Sequence, residues 1–203
     1  MLRFENLGKR YGDHLVFDGL TAAFSAGCIA LCEADSTGKS SLLRIVAGAM
    51  APDAGEVWID GHSLAQAPRL ARARLAYVPE DCLADPAQTG RGLLAQVALG
   101  KNTRVDDSAL DLADRLGLGP HLDKPFEQMS TGTRRKVFLA AAAIGHPAVV
   151  VADGPGDGLD TQARRALAAQ FSTWAKDRVI LFASHDAELV QACATARFNL
   201  GQP

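Results

Sequence analysis

The chain has 203 residues, 48% of them hydrophobic and 22% charged, with a formal net charge of −2. This length and balance are typical of one globular domain with a substantial core, and without a long Lys/Arg block we expect no nucleic acid partner. The longest apolar runs are too short to cross a bilayer and the first residues lack a signal peptide's apolar core, so we expect a cytoplasmic protein.

Short apolar runs alternate with longer amphipathic stretches along the chain. The predicted strands cover residues 2–7, 21–24, 28–32, 75–78, 148–152 and 179–183. The predicted helices cover residues 39–47, 93–99, 108–116, 133–144, 162–174 and 187–194. This alternation favours an α/β fold with a mainly parallel sheet and helices on its faces.

Two parts of the chain depart from this alternation. The first part combines short strands with turn dipeptides such as Gly12-Asp13 and Asp60-Gly61, which predict a small N-terminal antiparallel subsheet. Later, the pattern between Glu80 and Met129 is helical without a convincing strand, which predicts an inserted helical lobe at about residues 81–147. We expect residues 1–203 to form one domain.

A glycine–lysine–serine triplet follows the third predicted strand. Segment 33–40 reads EADSTGKS, and a helical pattern begins at once after it. In this strand–loop–helix setting, amides at the helix N-terminus cradle phosphates, with Gly38 in the loop, Lys39 towards the β/γ-phosphates and Ser40 towards Mg²⁺. The triplet alone also fits a helix start with an exposed lysine, but its setting favours a P-loop NTPase-type fold.

The loop departs from the pattern G-x-x-x-x-G-K-[ST] at its first position, where the chain has Glu33. Glycine serves there because the backbone must approach phosphate without a Cβ. Two like charges about 4 Å apart cost on the order of 4 kcal/mol at an effective dielectric constant of about 20, unless the side chain turns outwards. We therefore expect a damaged loop that is not necessarily inactive.

Six further motifs occur in order along the chain, one before the phosphate loop and five after it. They are KRYG around Tyr11, YVPE at 77–80, MSTGTRRK at 129–136, VVVAD at 149–153, DGLD at 157–160 and ASH ending at His185. In order, spacing and setting they resemble the motifs of ABC transporter ATPases, and the resemblance covers nearly the whole chain. Each motif alone is weak, since a lone histidine or an RRK run is more often structural or solvated.

The resemblance implies ATP and Mg²⁺ as cofactors, and a role for each matched residue. The implied nucleotide-binding residues are Tyr11, Asp35, Ser36, Thr37, Gly38, Lys39, Ser40, Ser41, Ser130 and Gly132. Tyr11 would stack on adenine, whereas Ser130 and Gly132 would bind the γ-phosphate of ATP held by an opposing subunit. The implied Mg²⁺ ligands are Ser40, Asp153 and Glu80, and the implied catalytic residues are His185 and Glu80.

Two segments resemble a subgroup of that family. DPAQTGR at 85–91 and STGTRRK at 130–136 look like the ATPases that serve ABC-2-type exporter permeases. The resemblance implies an integral membrane permease and a second ATPase subunit, in a homodimer or a heterodimer. It also implies a location at the inner membrane, peripheral to it through the permease.

Three residues depart from what the family would supply. Glu33 and Ser36 replace P-loop glycines, and Gly154 stands where the family has a glutamate that polarises the attacking water. Such positioning typically supplies a factor of roughly 10²–10⁴ in rate, so we expect weak or absent hydrolysis. Asp157 and Glu80 do not match the position of the missing base, and we expect neither to replace it.

The sequence leaves other functions open. A pseudo-ATPase scaffold or regulatory subunit would tolerate the lost glycines, although the retained Lys39, Asp153 and His185 favour nucleotide binding. A soluble ABC protein of translation or DNA repair usually has paired ATPase domains or long insertions, for which this chain has no room.

Overall fold

The structure is a computed structural model that describes residues 1–31 and 38–200. The strands are β1 (Leu2–Tyr11), β2 (His14–Phe24), β3 (Gly27–Leu31), β4 (Ala54–Ile59), β5 (His62–Ser63), β6 (Leu75–Val78), β7 (Val149–Asp153), β8 (Val179–Ala183) and β9 (Ala196–Phe198). The helices are α1 (Lys39–Val46), α2 (Pro68–Ala73), α3 (Gly90–Gly100), α4 (Asp107–Arg115), α5 (Thr131–Ala141), α6 (Thr161–Trp174) and α7 (Ala187–Cys193).

The N-terminal strands form an antiparallel sheet in the order β2-β1-β4-β5. Two tight turns make this possible. Gly12, between β1 and β2, has φ +59°, and Asp60-Gly61, between β4 and β5, has φ +51° and +82°. Because glycine and aspartate adopt such angles more readily than other residues, the dipeptides that predicted the subsheet are those that turn its strands.

The central sheet is parallel, with strand order β6-β7-β8-β3-β9. Every residue of β3, β7 and β8 is buried. Their almost continuous apolar sequences follow from this, since inner strands of a parallel sheet are covered on both faces. The ends of these strands present the polar residues that come next in the chain.

A helical lobe is inserted between β6 and β7. It contains α3, α4, α5 and two 3₁₀ turns, Gly119–His121 and Phe126–Gln128. Side-chain oxygens of Thr89, Asp106 and Ser130 accept hydrogen bonds from backbone amides in the first turns of α3, α4 and α5, which explains where these helices begin. Between Glu80 and Met129, all of it described, there is no strand, as predicted.

Two hydrophobic cores lie on opposite faces of the parallel sheet. Along β7, Val149 and Val151 face a core shared with α1 and the antiparallel sheet, whereas Val150 and Ala152 face a core shared with α4, α5 and α6. This alternation follows from the two-residue period of a strand. The sheet therefore separates α1, the helix that follows the phosphate loop, from the helical lobe.

The predicted α/β fold class, with its parallel sheet, N-terminal antiparallel sheet and inserted helical lobe, is confirmed. The sequence did not predict helix α2 or the short strands β4, β5 and β9 as separate elements. These elements have two to six residues, too few to show a hydrophobic period. No helix within residues 1–31 and 38–200 is both long and apolar enough to span a membrane.

Candidate functional site

A cleft of about 380 Å³ opens where the parallel strands end and helix α1 begins. Ligands of open α/β sheets bind at this edge. The predicted residues that line it are Tyr11, Gly38, Lys39, Ser40, Ser41, Glu80, Asp153 and His185. The predicted Asp35, Ser36 and Thr37, and the departure at Glu33, lie outside the described residues.

The first turn of α1 forms one wall of the cleft. Gly38 precedes the helix with φ +92°, and a Cβ at this position would overlap Val16 Cγ1 of β2. Only glycine therefore fits at residue 38. Lys39 and Ser40 follow in the first turn, and Lys39 is only 8% exposed although it carries a positive charge. The first amides of a helix have no partner within the helix, so the start of α1 can bind a phosphate group.

Asp153, at the end of β7, is the most buried acidic residue of the cleft, at 5% exposure. Its Oδ2 atom has no hydrogen-bond partner among the described residues. Burial raises the pKa of Asp153, as do the negative charges of Glu80 and Asp157, while a hydrogen bond from Ser40 and the charge of Arg44 lower it. A buried carboxylate with an unpaired oxygen next to a hydroxyl fits a cation.

The donor set suits Mg²⁺ in particular. This ion prefers oxygen ligands and is usually held by one or two carboxylates together with substrate phosphates and waters. Ser40 and Asp153 supply a hydroxyl and a carboxylate, and Glu80 lines the same cleft. Within the described ranges, no group of three or more His, Cys, Asp or Glu side chains is arranged to hold a metal.

Gly154 and Asp157 share a tight turn directly after β7. The amide of Asp157 donates a hydrogen bond of 3.1 Å to the carbonyl oxygen of Gly154, which has φ +56°. A Cβ at residue 154 would overlap the Oδ2 atom of Asp157 and lie 3.2 Å from its Cγ. The Asp157 carboxylate therefore lies against Gly154 and lines the same cleft. From the sequence, Asp157 was not expected to replace the missing base.

Tyr11 lies at the outer rim of the cleft. Its hydroxyl is 3.1 Å from Ser41 Oγ and donates to Met50 Sδ at 3.3 Å. The side chain is 48% exposed, and Lys9 Nζ lies 5.5 Å from the ring centroid. The hydroxyl is thus fixed from one side while much of the ring remains accessible, a geometry compatible with stacking on a planar base.

Ser130 and Gly132 lie apart from this cleft, at the start of α5. Ser130 Oγ accepts the Thr133 amide at 3.2 Å and lies 2.9 Å from Thr133 Oγ1. Gly132 packs against the backbone of Gly158, where an added Cβ would overlap the carbonyl oxygen. The residues predicted to serve an opposing subunit are therefore separate from those that line this chain's own cleft.

Three residues in or beside the site were not predicted from the sequence. His14 and Val16 of β2 line the cleft, and only the pairing of β1 with β2, in which Tyr11 is opposite His14, brings them there. Arg135 lies in an RRK run, a pattern typical of a solvated helix face, yet it is 3% exposed. It donates to the backbone carbonyls of Asp157 and Glu80, which are far away in sequence.

A family model described as "ABC transporter" matches residues 26–156 of the chain. The chain belongs to the ABC transporter family. It is 33% identical over 189 residues to the Nod factor export ATP-binding protein I of Sinorhizobium fredii, covering 91% of this chain and 55% of that protein. It is 34% identical over 172 residues to ATP-binding cassette sub-family A member 7 of Rattus norvegicus, covering 83% of this chain and 8% of that protein.

Solved structures support the fold of this ABC transporter ATP-binding domain. An ATP-binding subunit of an ABC transporter superposes with a TM-score of 0.90 at 24% identity, covering 98% of this chain and 85% of that one. A dimeric ATP-binding cassette in a post-hydrolysis state, bound to ADP and Pi, superposes with a TM-score of 0.85 at 16% identity, covering 100% and 97%. The chain spans about half the length of the curated bacterial relative.

Proposed function

We propose that this chain is the ATP-binding subunit of an ABC-type exporter, and that it works with an ABC-2-type integral membrane permease and a second ATPase subunit. Support comes from its similarity to a Nod factor export ATP-binding protein and from segments 85–91 and 130–136. Under this proposal residues 1–203 form one nucleotide-binding domain at the cytoplasmic face of the inner membrane. The helical lobe, at about 81–147, would face the permease.

The cleft is proposed to bind Mg-ATP. The observation that carries this is that Lys39, Ser40 and Asp153 line one cleft at the start of α1. Together they offer one ammonium group for phosphate and two oxygen ligands for a metal ion. Lys39 would bind the β/γ-phosphates and Tyr11 the adenine. Mg²⁺ would offset the mutual repulsion of the acidic residues and the phosphates. The pairing of a buried carboxylate with a hydroxyl on the P-loop helix is what such a metal needs.

Hydrolysis is proposed to be weak. The residue after Asp153 is a glycine with no side chain, so the carboxylate expected to polarise water from this position is absent. His185 follows β8 and lines the cleft, where it would bind the γ-phosphate, and Glu80 would assist from the loop after β6. Loss of a positioned base typically costs about 10²–10⁴-fold in rate.

Titration calorimetry with Mg-ATP, paired with a phosphate-release assay, tests this function. We expect saturable binding, slow turnover, and loss of both in Lys39→Ala. Ser172→Ala, an exposed change on the distant helix α6, serves as the matched control and should behave like the parent. No binding at millimolar ATP, with or without a copurified partner subunit, would favour the scaffold function. Turnover as fast as that of an ATPase with the glutamate would contradict weak hydrolysis.

A further inference from the structure

The turn after β7 places a second carboxylate where the expected one is missing. Asp157 Oδ2 occupies the space into which a side chain at residue 154 would extend, and Asp157 Cγ lies 3.2 Å from the position of that Cβ. Gly154 and Asp157 are therefore sterically complementary. A larger residue at 154 could not coexist with this conformation of the aspartate.

We propose that Asp157 is the catalytic carboxylate of this cleft, orienting the attacking water and accepting its proton in place of a residue-154 glutamate. The inference rests on the proposed function, ATP binding at this site. Asp157 is exposed and lines the cleft together with Lys39, Asp153 and His185. It is thus accessible to water and close to the residues that would bind the γ-phosphate.

The backbone around Asp157 is held in place from two directions. Its amide donates to the Gly154 carbonyl at 3.1 Å, and its own carbonyl accepts from Arg135 Nη1 at 2.5 Å. Arg135 is buried in helix α5 and also binds the Glu80 carbonyl. A general base acts only when its geometry is maintained, and these contacts restrict the movement of the loop.

The reaction balances without any further reactant. A water oxygen forms a bond to the γ-phosphorus as the bond from that phosphorus to the β,γ-bridging oxygen breaks. The bridging oxygen keeps the electron pair and leaves with ADP. The carboxylate of Asp157 accepts the proton that the water loses and passes it on to the products. Because this carboxylate lies beside the Cβ position, it is set back from where a longer glutamate would reach, which would account for the slow turnover proposed above.

Three variants of the purified protein test the assignment, with Mg-ATP affinity measured beside turnover. We expect Asp157→Asn to lower kcat by about 10²-fold or more while the Kd for Mg-ATP changes less than about threefold. The matched control Asp123→Asn removes an exposed carboxylate of the helical lobe and should leave kcat unchanged. In the double variant Gly154→Glu, Asp157→Ser, which removes the overlap, kcat should exceed that of Asp157→Asn.

The nucleotide that remains bound gives a second measurement. After incubation with Mg-ATP and rapid gel filtration, we expect ADP on the parent and ATP on Asp157→Asn. Equal kcat and equal ADP content in both would overturn the role of Asp157 but leave ATP binding intact. Binding without turnover above the Lys39→Ala background would overturn it as well. If the parent fails to bind Mg-ATP, the proposed function itself fails.

Discussion

Arg135 Nη1 donates a hydrogen bond of 2.5 Å to the carbonyl oxygen of Asp157. Its second terminal nitrogen binds the Glu80 carbonyl, so one buried guanidinium joins helix α5 to both acidic loops of the cleft. Arg135 thus fixes the backbone at both acidic residues, while the Asp157 amide is also bound to the Gly154 carbonyl. Its burial would be costly without such partners, since a charged group needs hydrogen bonds when it is removed from water.

Replacing Arg135 by methionine should destabilise the protein. The change leaves two carbonyls without their charged donor, and we expect the free energy of unfolding to fall by about 1–3 kcal/mol. Urea denaturation followed by circular dichroism measures this. Arg165→Met, an exposed substitution on α6, is the control and should change stability by less than about 0.5 kcal/mol. Equal effects of the two substitutions would contradict a bridging role for Arg135.

A methyl group at Gly132 should also destabilise the chain. Helix α5 approaches the Gly158 backbone so closely that an added Cβ would overlap its carbonyl oxygen. We expect Gly132→Ala to cost about 1–3 kcal/mol by overpacking. Gly100→Ala, at a helical position with no atom within 4 Å of the added Cβ, should instead be neutral or stabilise by up to about 1 kcal/mol. Thermal unfolding of both variants measures this. If both substitutions lowered the melting temperature equally, the close approach of Gly132 to Gly158 would not explain the effect.

Ser130 allows stability and turnover to be separated. Ser130 is the N-cap of α5, so we expect Ser130→Ala to lower the free energy of unfolding by about 1 kcal/mol. Ser130→Asp retains a capping oxygen but adds a negative charge, so we expect stability to be kept while turnover is lost if Ser130 faces the phosphate of an opposing subunit. Thr89→Ala, the same kind of cap on α3, should lower stability without this loss. Unchanged turnover in Ser130→Asp would exclude contact with phosphate.

Lys101 should make the free energy of unfolding depend on pH in the alkaline range. Burial, more than any neighbouring charge, lowers the pKa of Lys101 to about 8, and its ammonium donates to the Ile144 carbonyl at 3.0 Å. In the unfolded chain a lysine has a pKa of about 10.4. Between these values the unfolded state holds the extra proton, so this residue's contribution to stability rises with pH from about 8 to about 10 and is constant below.

The difference in unfolding free energy between the parent and Lys101→Met isolates this effect from other groups that titrate in the same range. We expect the difference to shift in favour of the parent as the pH increases from 8 to 10. Lys176→Met, an exposed substitution, should show no such shift. A difference that stays level across this range would mean that Lys101 keeps its ordinary pKa when folded.

The parts of the fold and of the site that could be predicted from the sequence are those determined by residues close together in the chain. Strands β6 and β8 were predicted to the residue, because apolar runs bounded by turn residues mark strands that are buried on both faces. Glu80, Asp153 and His185 each lie at or just after a strand end and line one cleft, because the carboxyl ends of parallel strands meet at one edge of the sheet. Arg135 and Asp157 could not be placed, since a buried guanidinium and a folded-back turn depend on contacts made across the fold.

The two cores on opposite faces of the parallel sheet have a consequence for ligand binding. Lys39 and Ser40 begin a helix anchored in one core, whereas Gly132, Arg135 and the loop they contact belong to the other. A triphosphate in the cleft would contact both the first turn of α1 and the turn after β7 that Arg135 binds, and so would link elements packed in the two cores. A packing defect in either core, even far from the cleft, would then change the affinity for the nucleotide.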